Sequence, residues 1–433
     1  MPNVWNRFVS LIKHNSLAQL FSSKVFVEVT TVLQSIIISR LLGPQGKGEF
    51  AEVVMWPTLI ASFVMMGLYT GVVRISAKPN LCSRYNVTMS VLLSTAIPGF
   101  VGVLIALGVN SFYFANREVL MVAKIYAIYV VICNCTRVLL AVNAGKGNLR
   151  MYSIASAILN PIYFLCLLIL FLSGKVTVST ALLALLFANF CSFLFRYLTR
   201  EKEREHKIMS PRKILGYCVR FLPSDLSEPL YSWYDKAVIA FILSPYDLGL
   251  YTIAYSSAGL INIVSSTFNV KLFSDVARGD TSNLFNFVRL NFVVMIASAL
   301  CMSCLLPFLI PLVFGRDFAP AIVPSLILLV VCILQGQSVI IEKSILAKGY
   351  PFVGIKAKAI AIAMFAAFAV VFYMLGISSL VTLALLLILV QFVYLEYLRR
   401  QMGKIFKDNR IVPNAGELKS YALRIASVIR RRG

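Results

Sequence analysis

Long apolar stretches recur along this sequence from end to end. One of them, residues 359–375, reads AIAIAMFAAFAVVFYML without a charged residue. A helix of about 20 apolar residues crosses the roughly 30 Å hydrocarbon core of a bilayer. In that core every backbone amide needs a partner, which a helix supplies within one segment. These runs also lack the alternating pattern of an outer-membrane barrel strand. The sequence therefore predicts an all-α, polytopic membrane protein.

The composition and the spacing of the apolar stretches predict about 12 transmembrane helices. Of the 433 residues, 59% are hydrophobic and 14% are charged, whereas a soluble chain carries roughly 25% charged residues. The predicted spans lie at about 19–39, 51–73, 87–108, 119–142, 152–172, 177–198, 217–243, 249–270, 290–314, 320–342, 354–375 and 378–398.

The positive charges lie mostly on one side of the predicted spans. An even number of spans places both termini on the same side. Of the 41 Lys and Arg residues, 33 lie in or beside the segments on that side, including the stretches 196–220 and 343–358. By the positive-inside rule that side is cytoplasmic. The net charge of +23 is therefore a topology signal, and we expect no nucleic-acid partner.

Two short segments share their proline and glycine positions at an offset of 201. SRLLGPQGKGEFA (39–51) and ILSPYDLGLYTIA (242–254) each follow the first span of a predicted group of six. Further matches fall at equivalent places in each group, which indicates two copies of one six-helix unit. Transporters with such parallel repeats bind substrate between the two halves. The matched pairs are Pro44 with Pro245, Gly48 with Gly249, Phe50 with Tyr251, Lys146 with Lys348, Gly147 with Gly349 and Gly174 with Gly376.

The glycine-rich run of the first segment does not satisfy the pattern of a phosphate-binding loop. That pattern needs Ser or Thr after Gly-Lys and a strand before the loop. Here Gly48 follows Lys47, and a predicted membrane helix precedes the run. We expect a tight extracytoplasmic turn with Lys47 as a loop charge.

The repeat and one highly charged internal stretch divide the chain into four parts. RYLTREKEREHKIMSPRKILGY separates the two predicted groups of six spans. The two ends read as amphipathic helices in the inner membrane interface, although polar ends with scattered apolar residues would look similar. The predicted parts are an N-terminal bundle with its interfacial helix (1–200), a charged cytoplasmic linker (201–216), a C-terminal bundle (217–398) and a basic cytoplasmic tail with an amphipathic helix (399–433).

Several ionisable residues fall inside the predicted spans. Such a side chain at the bilayer centre costs about 2.5–3.5 kcal/mol on insertion scales and usually faces a cavity. In the seventh span, steps of three and four place Asp225, Glu228 and Asp235 on one helical face. Internal salt bridges and hydrogen bonds that fix packing are the alternative. The predicted cavity cations are Lys24, Arg40, Arg74, Arg137 and Lys236, and the predicted coupling or charge-balancing carboxylates are Glu28, Asp225, Glu228 and Asp235.

These cations suit an anionic ligand better than a metal or a catalytic reaction. Arg binds phosphate oxygens bidentately, and Lys binds them as a point charge. The carboxylates would hold the cations in place or take up a coupling proton or sodium ion. Only two His are present, and nearly all of the nine Cys lie in apolar runs, where Cys acts as a small hydrophobe. We therefore expect no metal, no other cofactor and no enzymatic activity.

Three stretches, SRLLGPQGKGEFA, WYDKAVIAFILSPYDLGLYTIA and LIPLVFGRDFAPAIVPSLILL, resemble the Wzx-type polysaccharide biosynthesis flippases. These belong to the multidrug/oligosaccharidyl-lipid/polysaccharide exporter superfamily, and the resemblance covers essentially the whole chain. It implies two six-helix bundles around a V-shaped cavity with basic residues for a diphosphate. It also implies that undecaprenyl-diphosphate-linked oligosaccharide, the repeat unit of O-antigen or capsule, moves to the outer leaflet of the bacterial cytoplasmic (inner) membrane by alternating access.

Other functions stay open from the sequence. A drug/cation antiporter of the same superfamily would favour an acidic, aromatic cavity with few buried Arg or Lys. A membrane polysaccharide polymerase or ligase usually needs a large extracytoplasmic loop, and no predicted outer connection exceeds about a dozen residues. A scaffold would use the basic tail to dock glycosyltransferases. The expected partners are lipid-linked oligosaccharide, membrane lipids and other polysaccharide-assembly proteins.

Overall fold

The computed structural model describes residues 16–65, 67–77, 86–113, 117–200, 208–262, 265, 272, 276, 281, 284–408, 410 and 411. Within these ranges every regular element is helical. Eight helical segments of this described part are long and apolar enough to cross a membrane, and the bent pair Val29–Val64 and Leu68–Ser76 would make a ninth. The predicted all-α, polytopic architecture is confirmed.

The helices of the described chain follow the predicted spans closely. The first group is α1 (Ser16–Val64), α2 (Leu68–Ser76), α3 (Val87–Tyr113), α4 (Arg117–Tyr126), α5 (Tyr129–Gly145), α6 (Leu149–Ala157), α7 (Leu159–Leu172), α8 (Val178–Leu198), α9 (Pro211–Cys218), a 3-10 turn (Val219–Phe221), α10 (Leu222–Ile242) and α11 (Pro245–Gly259). The second group is α12 (Leu284–Val313), a 3-10 segment (Arg316–Ala321), α13 (Ile322–Ala347), α14 (Pro351–Met374) and α15 (Leu380–Phe406).

Each of the twelve predicted spans coincides with helix over the part that is described, the eighth only as far as residue 262. The predicted N-terminal interfacial helix, residues 201–207 of the linker and the tail beyond residue 411 lie outside the described residues. The exact number of membrane crossings therefore stays a prediction.

The chain divides into two compact units. The first runs to Ala240 and includes Ser244–Gly249, whereas the second contains Phe241–Leu243 and continues from Leu250. The domain boundaries drawn from the charged linker, with two bundles of six spans each, stay a prediction.

Helix α3 shows how apolar side chains are distributed in the first unit. On one face, Val91 is fully buried in a cluster with Val138 of α5 and Ile214 of α9. On the other face, Ile97 and Phe100 are 67% and 64% exposed. A broad exposed apolar surface marks a contact with lipid or protein, so in a membrane protein this face suits lipid.

The first repeated corner is a break at a single residue. Gly43 has φ 65° and ψ −177°, outside the helical region, and α1 resumes directly at Pro44. Glycine accepts a positive φ without a steric penalty, and proline is favoured at the first position of a helix. Helix α11 likewise begins with Pro245. Each of the two matched prolines is therefore the first residue of the helix that follows its corner.

Lys47 is not the loop charge that the sequence suggested. It lies in the helical part of α1 with 8% of its surface exposed. Its Nζ donates a hydrogen bond to Ser35 Oγ at 3.1 Å. The expectation is wrong because the helix resumes already at Pro44, and the lysine turns inward as a helical residue.

The two repeated corners contact one another within the first unit. A Cβ placed on Gly48 would lie 1.6 Å from the carbonyl oxygen of Pro245. A Cβ placed on Gly249 would lie 1.9 Å from the carbonyl oxygen of Pro44. The contact is reciprocal, because Gly48 lies against Pro245 and Gly249 lies against Pro44. The paired glycines let two backbones approach directly, as small residues do between membrane helices.

The repeat also extends to helix caps. Thr177 and Thr180 at the start of α8 form a capping box, with N–H to Oγ1 distances of 2.8 and 3.2 Å. At the start of α15, Ser379 and Thr382 form the same box with the same two distances. Such boxes satisfy backbone donors that a helix start leaves unpaired. The matching glycines that precede them are Gly174 (φ 66°) and Gly376 (φ 68°).

Candidate functional site

Asp225 caps a broken helix. Helix α2 begins after Gly67, which has φ 75° and provides no side-chain cap. Asp225 of α10 accepts hydrogen bonds from the backbone N–H of Thr70, at 3.1 Å, and from the Thr70 hydroxyl. The first N–H groups of a helix lack internal partners and favour a negative charge. This carboxylate therefore stabilises the start of α2 from a second helix.

The packing around this cap leaves no room for larger residues. A Cβ on Gly67 would lie 2.3 Å from the carbonyl oxygen of Cys218, and one on Gly71 would lie 2.3 Å from the Cys218 sulfur. The start of α2 thus rests directly on the end of α9. Glycine at both positions lets the Asp225 cap form.

Asp235 and Lys236 form a second polar group on α10. Asp235 is 5% exposed, and its Oδ1 accepts from the backbone N–H of Lys236 at 2.8 Å. The Lys236 ammonium lies 3.5 Å from that same oxygen and 5.5 Å from the centre of the Trp233 ring. The charge of this predicted cavity cation is therefore offset by its neighbour.

Arg137 of α5 has a neutral partner. Its Nη1 donates to Ser62 Oγ at 2.9 Å, and that hydroxyl donates in turn to the Thr58 carbonyl at 2.9 Å. Among the residues whose side chains are described, no carboxylate lies within ion-pair distance of this guanidinium. The positive charge is held in place by Ser62 and is not cancelled.

Arg196 of α8 is a functional candidate that the sequence analysis missed. It is 7% exposed, and its Nε and Nη2 donate to the Ala155 carbonyl at 2.9 and 2.6 Å. Ala155 lies in the last turn of α6, where carbonyl groups have no partner within the helix. This arginine also lacks an ion-pair partner within the described part of the chain. The charge count had assigned it to a cytoplasmic segment.

Helix α8 carried a signal for this residue. Asn189, Ser192 and Arg196 follow steps of three and four, and all three are buried. A polar stripe at that spacing inside an apolar span indicates a face turned toward the protein. Gln34 of α1 is a further buried polar residue of the first unit, and its Nε2 donates to the Asn160 carbonyl at 2.7 Å.

The remaining predicted residues take varied positions. Arg74 is exposed, with its guanidinium 4.7 Å from the centre of the Phe221 ring. Arg40 and Glu228 are also exposed. The side chains of Lys24 and Glu28 lie outside the described residues, although both positions belong to α1.

The second unit contains a buried ion pair that the sequence analysis did not propose. Lys358 of α14 is 4% exposed, and its Nζ lies 2.8 Å from Glu342 Oε1 of α13. The other carboxylate oxygen accepts from the Tyr394 hydroxyl at 2.9 Å. Gly354 makes space, since a Cβ there would lie 2.6 Å from Glu342 Oε1. Here the cation is neutralised within its own unit.

Comparison with a protein family supports the resemblance seen in the sequence. A family model described as "Polysaccharide biosynthesis protein" matches residues 15–273, more than half of the chain. A search of curated proteins gives no significant match.

Solved structures with a similar fold are membrane transporters. The lipid II flippase MurJ, in an inward closed conformation, has a TM-score of 0.70 at 13% identity, over 88% of this chain and 87% of that chain. An inward-facing multidrug resistance MATE family transporter of the MOP superfamily scores 0.65 at 14% identity, over 88% and 96%. A MOP superfamily transporter from Pyrococcus furiosus, described by the reverse polarity of its binding pocket, scores 0.60 at 15% identity, over 91% and 95%. At these identities the similarity concerns the fold alone.

Proposed function

Because the chain belongs to the polysaccharide biosynthesis protein family, we propose that it is a flippase for lipid-linked oligosaccharide. The cargo is an undecaprenyl-diphosphate-linked repeat unit of a surface polysaccharide such as O-antigen or capsule. It moves from the inner to the outer leaflet of the bacterial cytoplasmic membrane by alternating access through a cationic cavity. The protein performs transport without bond chemistry, and both of its termini are cytoplasmic.

The arginines with neutral partners are the observation that carries this proposal. Arg137 is held by a hydroxyl and Arg196 by a carbonyl, and neither partner carries a charge. An uncompensated charge inside a membrane protein is expensive and marks a pathway for an ion or substrate. A diphosphate suits the two guanidinium groups because its oxygens accept paired N–H donors.

We expect two contacts of the first unit to take part in alternating access. The Asp225 cap links α10 to α2, and the paired glycines link α11 to α1. We expect both contacts to open and close during transport. A single added methyl group at the glycine contact would keep the corners apart.

Complementation of a flippase-null strain tests the proposal. Arg137→Gln and Arg196→Gln, singly and together, are compared with Arg316→Gln and Lys175→Gln, which remove exposed charges. We expect the double variant to lose surface polysaccharide by more than tenfold, since two charged contacts of roughly 1.5–3 kcal/mol each are lost. Normal polysaccharide at equal protein level in the double variant would overturn the proposal.

The glycine contact is tested in the same strain. Gly48→Ala places a methyl group against the Pro245 carbonyl, whereas Gly108→Ala is a matched control that meets nothing within 4 Å. We expect Gly48→Ala to reduce surface polysaccharide and the control to leave it unchanged. Equal activity of the two variants would show that the contact between the two corners has no role in the transport cycle.

A cation antiporter of the same superfamily is the alternative, and the buried carboxylate of Asp235 is the observation that favours it. Efflux of cationic dyes that depends on Asp235, without any effect on surface polysaccharide, would select this function.

A further inference from the structure

A basic cleft lies at the end of the last described helix, in the second unit. It has a volume of about 1140 Å³, and four of its eight described lining residues are cationic. Its lining includes Tyr397, Arg400, Lys404, Lys407, Asp408 and Arg410. None of them is among the cavity residues predicted from the sequence, and none is Arg137 or Arg196 of the first unit.

The wall of this cleft is folded and fixed in place. Helix α15 ends at Phe406, and Lys407 adopts φ 62° with its N–H bonded to the Gly403 carbonyl at 3.0 Å. Non-glycine residues adopt this left-handed conformation rarely, and here it turns the chain back at the helix end. Ile411, a few residues later, is 7% exposed. Ile411 therefore packs onto the protein.

Asp408 holds this segment through both carboxylate oxygens. One oxygen lies 3.1 Å from Arg289 Nη2 of α12, and the other accepts from the backbone N–H of Arg410 at 3.0 Å. Asp408 is the one carboxylate among the described lining residues, and it is thus engaged in holding the wall of the cleft. Its ion-pair partner, Arg289, is not one of the described residues that line the cleft.

The cations of the cleft outnumber its anions. Arg400 pairs with Glu396 at 2.8 Å. Lys404, Lys407 and Arg410 have no ion-pair partner among the side chains described for this chain. Three positive charges therefore line one concave surface, and no carboxylate among the described side chains forms an ion pair with them.

The predicted position of the cleft relative to the membrane indicates the chemistry of its ligand. The last predicted span ends at about residue 398, so the cleft begins at the membrane surface on the predicted cytoplasmic side. Anionic phospholipid is concentrated in that leaflet, and each nearby Lys or Arg contributes about 1 kcal/mol to its attraction. Tyr397 adds an aromatic ring of the kind that is enriched at the headgroup level.

We propose that this cleft is a binding site for a phosphate-bearing anion, with Lys404, Lys407 and Arg410 as the residues that contact the phosphate oxygens. The phosphate belongs to the headgroup of an anionic membrane lipid, and free phosphate compounds from the cytoplasm are the other source of the same chemistry. The site shares no residue with the arginines proposed above to bind the cargo.

The test uses the purified full-length protein in a neutral detergent. One arm titrates fluorescent phosphatidylglycerol, and the other titrates inorganic pyrophosphate. The variant carries Lys404→Gln, Lys407→Asn and Arg410→Gln, where asparagine is chosen because it tolerates a positive φ. The control carries Lys213→Gln, Lys348→Gln and Lys356→Gln, which remove three exposed charges elsewhere.

We expect the triple variant to bind phosphatidylglycerol on the order of 100-fold more weakly, since three contacts of about 1 kcal/mol are lost. Lys404→Gln alone, which leaves the turn intact, should weaken binding roughly fivefold. Binding of the lipid but not of pyrophosphate identifies the headgroup as the source, and equally tight binding of pyrophosphate identifies a soluble phosphate. The proposal is overturned if the wild type binds neither probe, if the folded triple variant binds like the wild type, or if the control weakens equally.

Discussion

Each compact unit buries a cation, and the two units hold that cation differently. In the second unit, Lys358 faces the carboxylate of Glu342, whose other oxygen is bonded to Tyr394. In the first unit, Arg196 donates to the carbonyl of Ala155, and no carboxylate among the described side chains pairs with it. The two side chains are almost equally buried, at 4% and 7% exposure. Burial alone therefore does not distinguish them.

The difference lies in the net charge that remains. The Lys358 and Glu342 pair is neutral as a whole, which suits a fixed connection between α13 and α14. Arg196 keeps its full positive charge while also satisfying a carbonyl at the end of α6. A membrane protein tolerates such a charge mainly where an anion or water reaches it. We therefore expect Lys358 to serve packing, and the proposed function places Arg196 in cargo binding.

Removing the carboxylate of the second unit should have the largest effect on stability. Glu342→Gln leaves Lys358 buried without a counter-charge, and breaking a buried pair in this way costs roughly 3–5 kcal/mol. The variant's thermal unfolding in detergent should occur at a clearly lower temperature. Adding Lys358→Met should restore most of the loss, because an apolar pair of similar volume is tolerated. A double variant as unstable as the single one would contradict the idea of a neutral structural pair.

Removing the cation of the first unit should have a smaller effect on stability and a larger one on function. Arg196→Gln loses charge-assisted hydrogen bonds worth about 1.5–3 kcal/mol. Arg196→Lys keeps the charge and serves as the matched variant. We expect surface polysaccharide to fall further in Arg196→Gln than in Arg196→Lys at equal protein level. Equal losses in both variants would favour a purely structural role in capping the Ala155 carbonyl.

The smallest effect is expected at Asp225, a half-buried carboxylate of the first unit whose partners are again neutral. Asp225→Asn keeps a hydrogen-bond acceptor but removes the charge at the start of α2, which is worth about 0.3–1 kcal/mol. A double-mutant cycle with Thr70→Val isolates the hydroxyl part of the contact, because the backbone N–H of Thr70 is kept. Unchanged thermal unfolding in Asp225→Asn would show that the charge of Asp225 does not stabilise the start of α2.

The matched corners of the chain were accessible from the sequence because they are carried by residues with strict backbone roles. Proline starts a helix and glycine accepts a positive φ, so their spacing reports backbone geometry directly. The pairs Pro44 with Pro245 and Gly174 with Gly376 perform matching roles in the structure. The contact between Gly48 and Gly249 could not be predicted, because spacing along the chain does not determine which corners meet.

The buried cations were missed because a charge count treats a helix end as a boundary. Arg196 lies in the last turn of α8, where a lysine or arginine normally reaches the interface. Only the buried positions Asn189 and Ser192, on the same face of α8, indicate that the Arg196 side chain points into the protein. Lys358 had a weaker signal, since Gly354 and the alanines around it indicate close packing but not a carboxylate partner.

Transport of a fluorescent undecaprenyl-diphosphate lipid by the purified protein in vesicles is the most direct test of the account. The comparison needs wild type, Arg137→Gln with Arg196→Gln, and Glu342→Gln with Lys358→Met. We predict that the arginine double variant, though folded, loses more than tenfold in rate, whereas the variant of the second unit's ion pair transports at close to the wild-type rate. Transport at the wild-type rate without the two arginines would contradict the central claim.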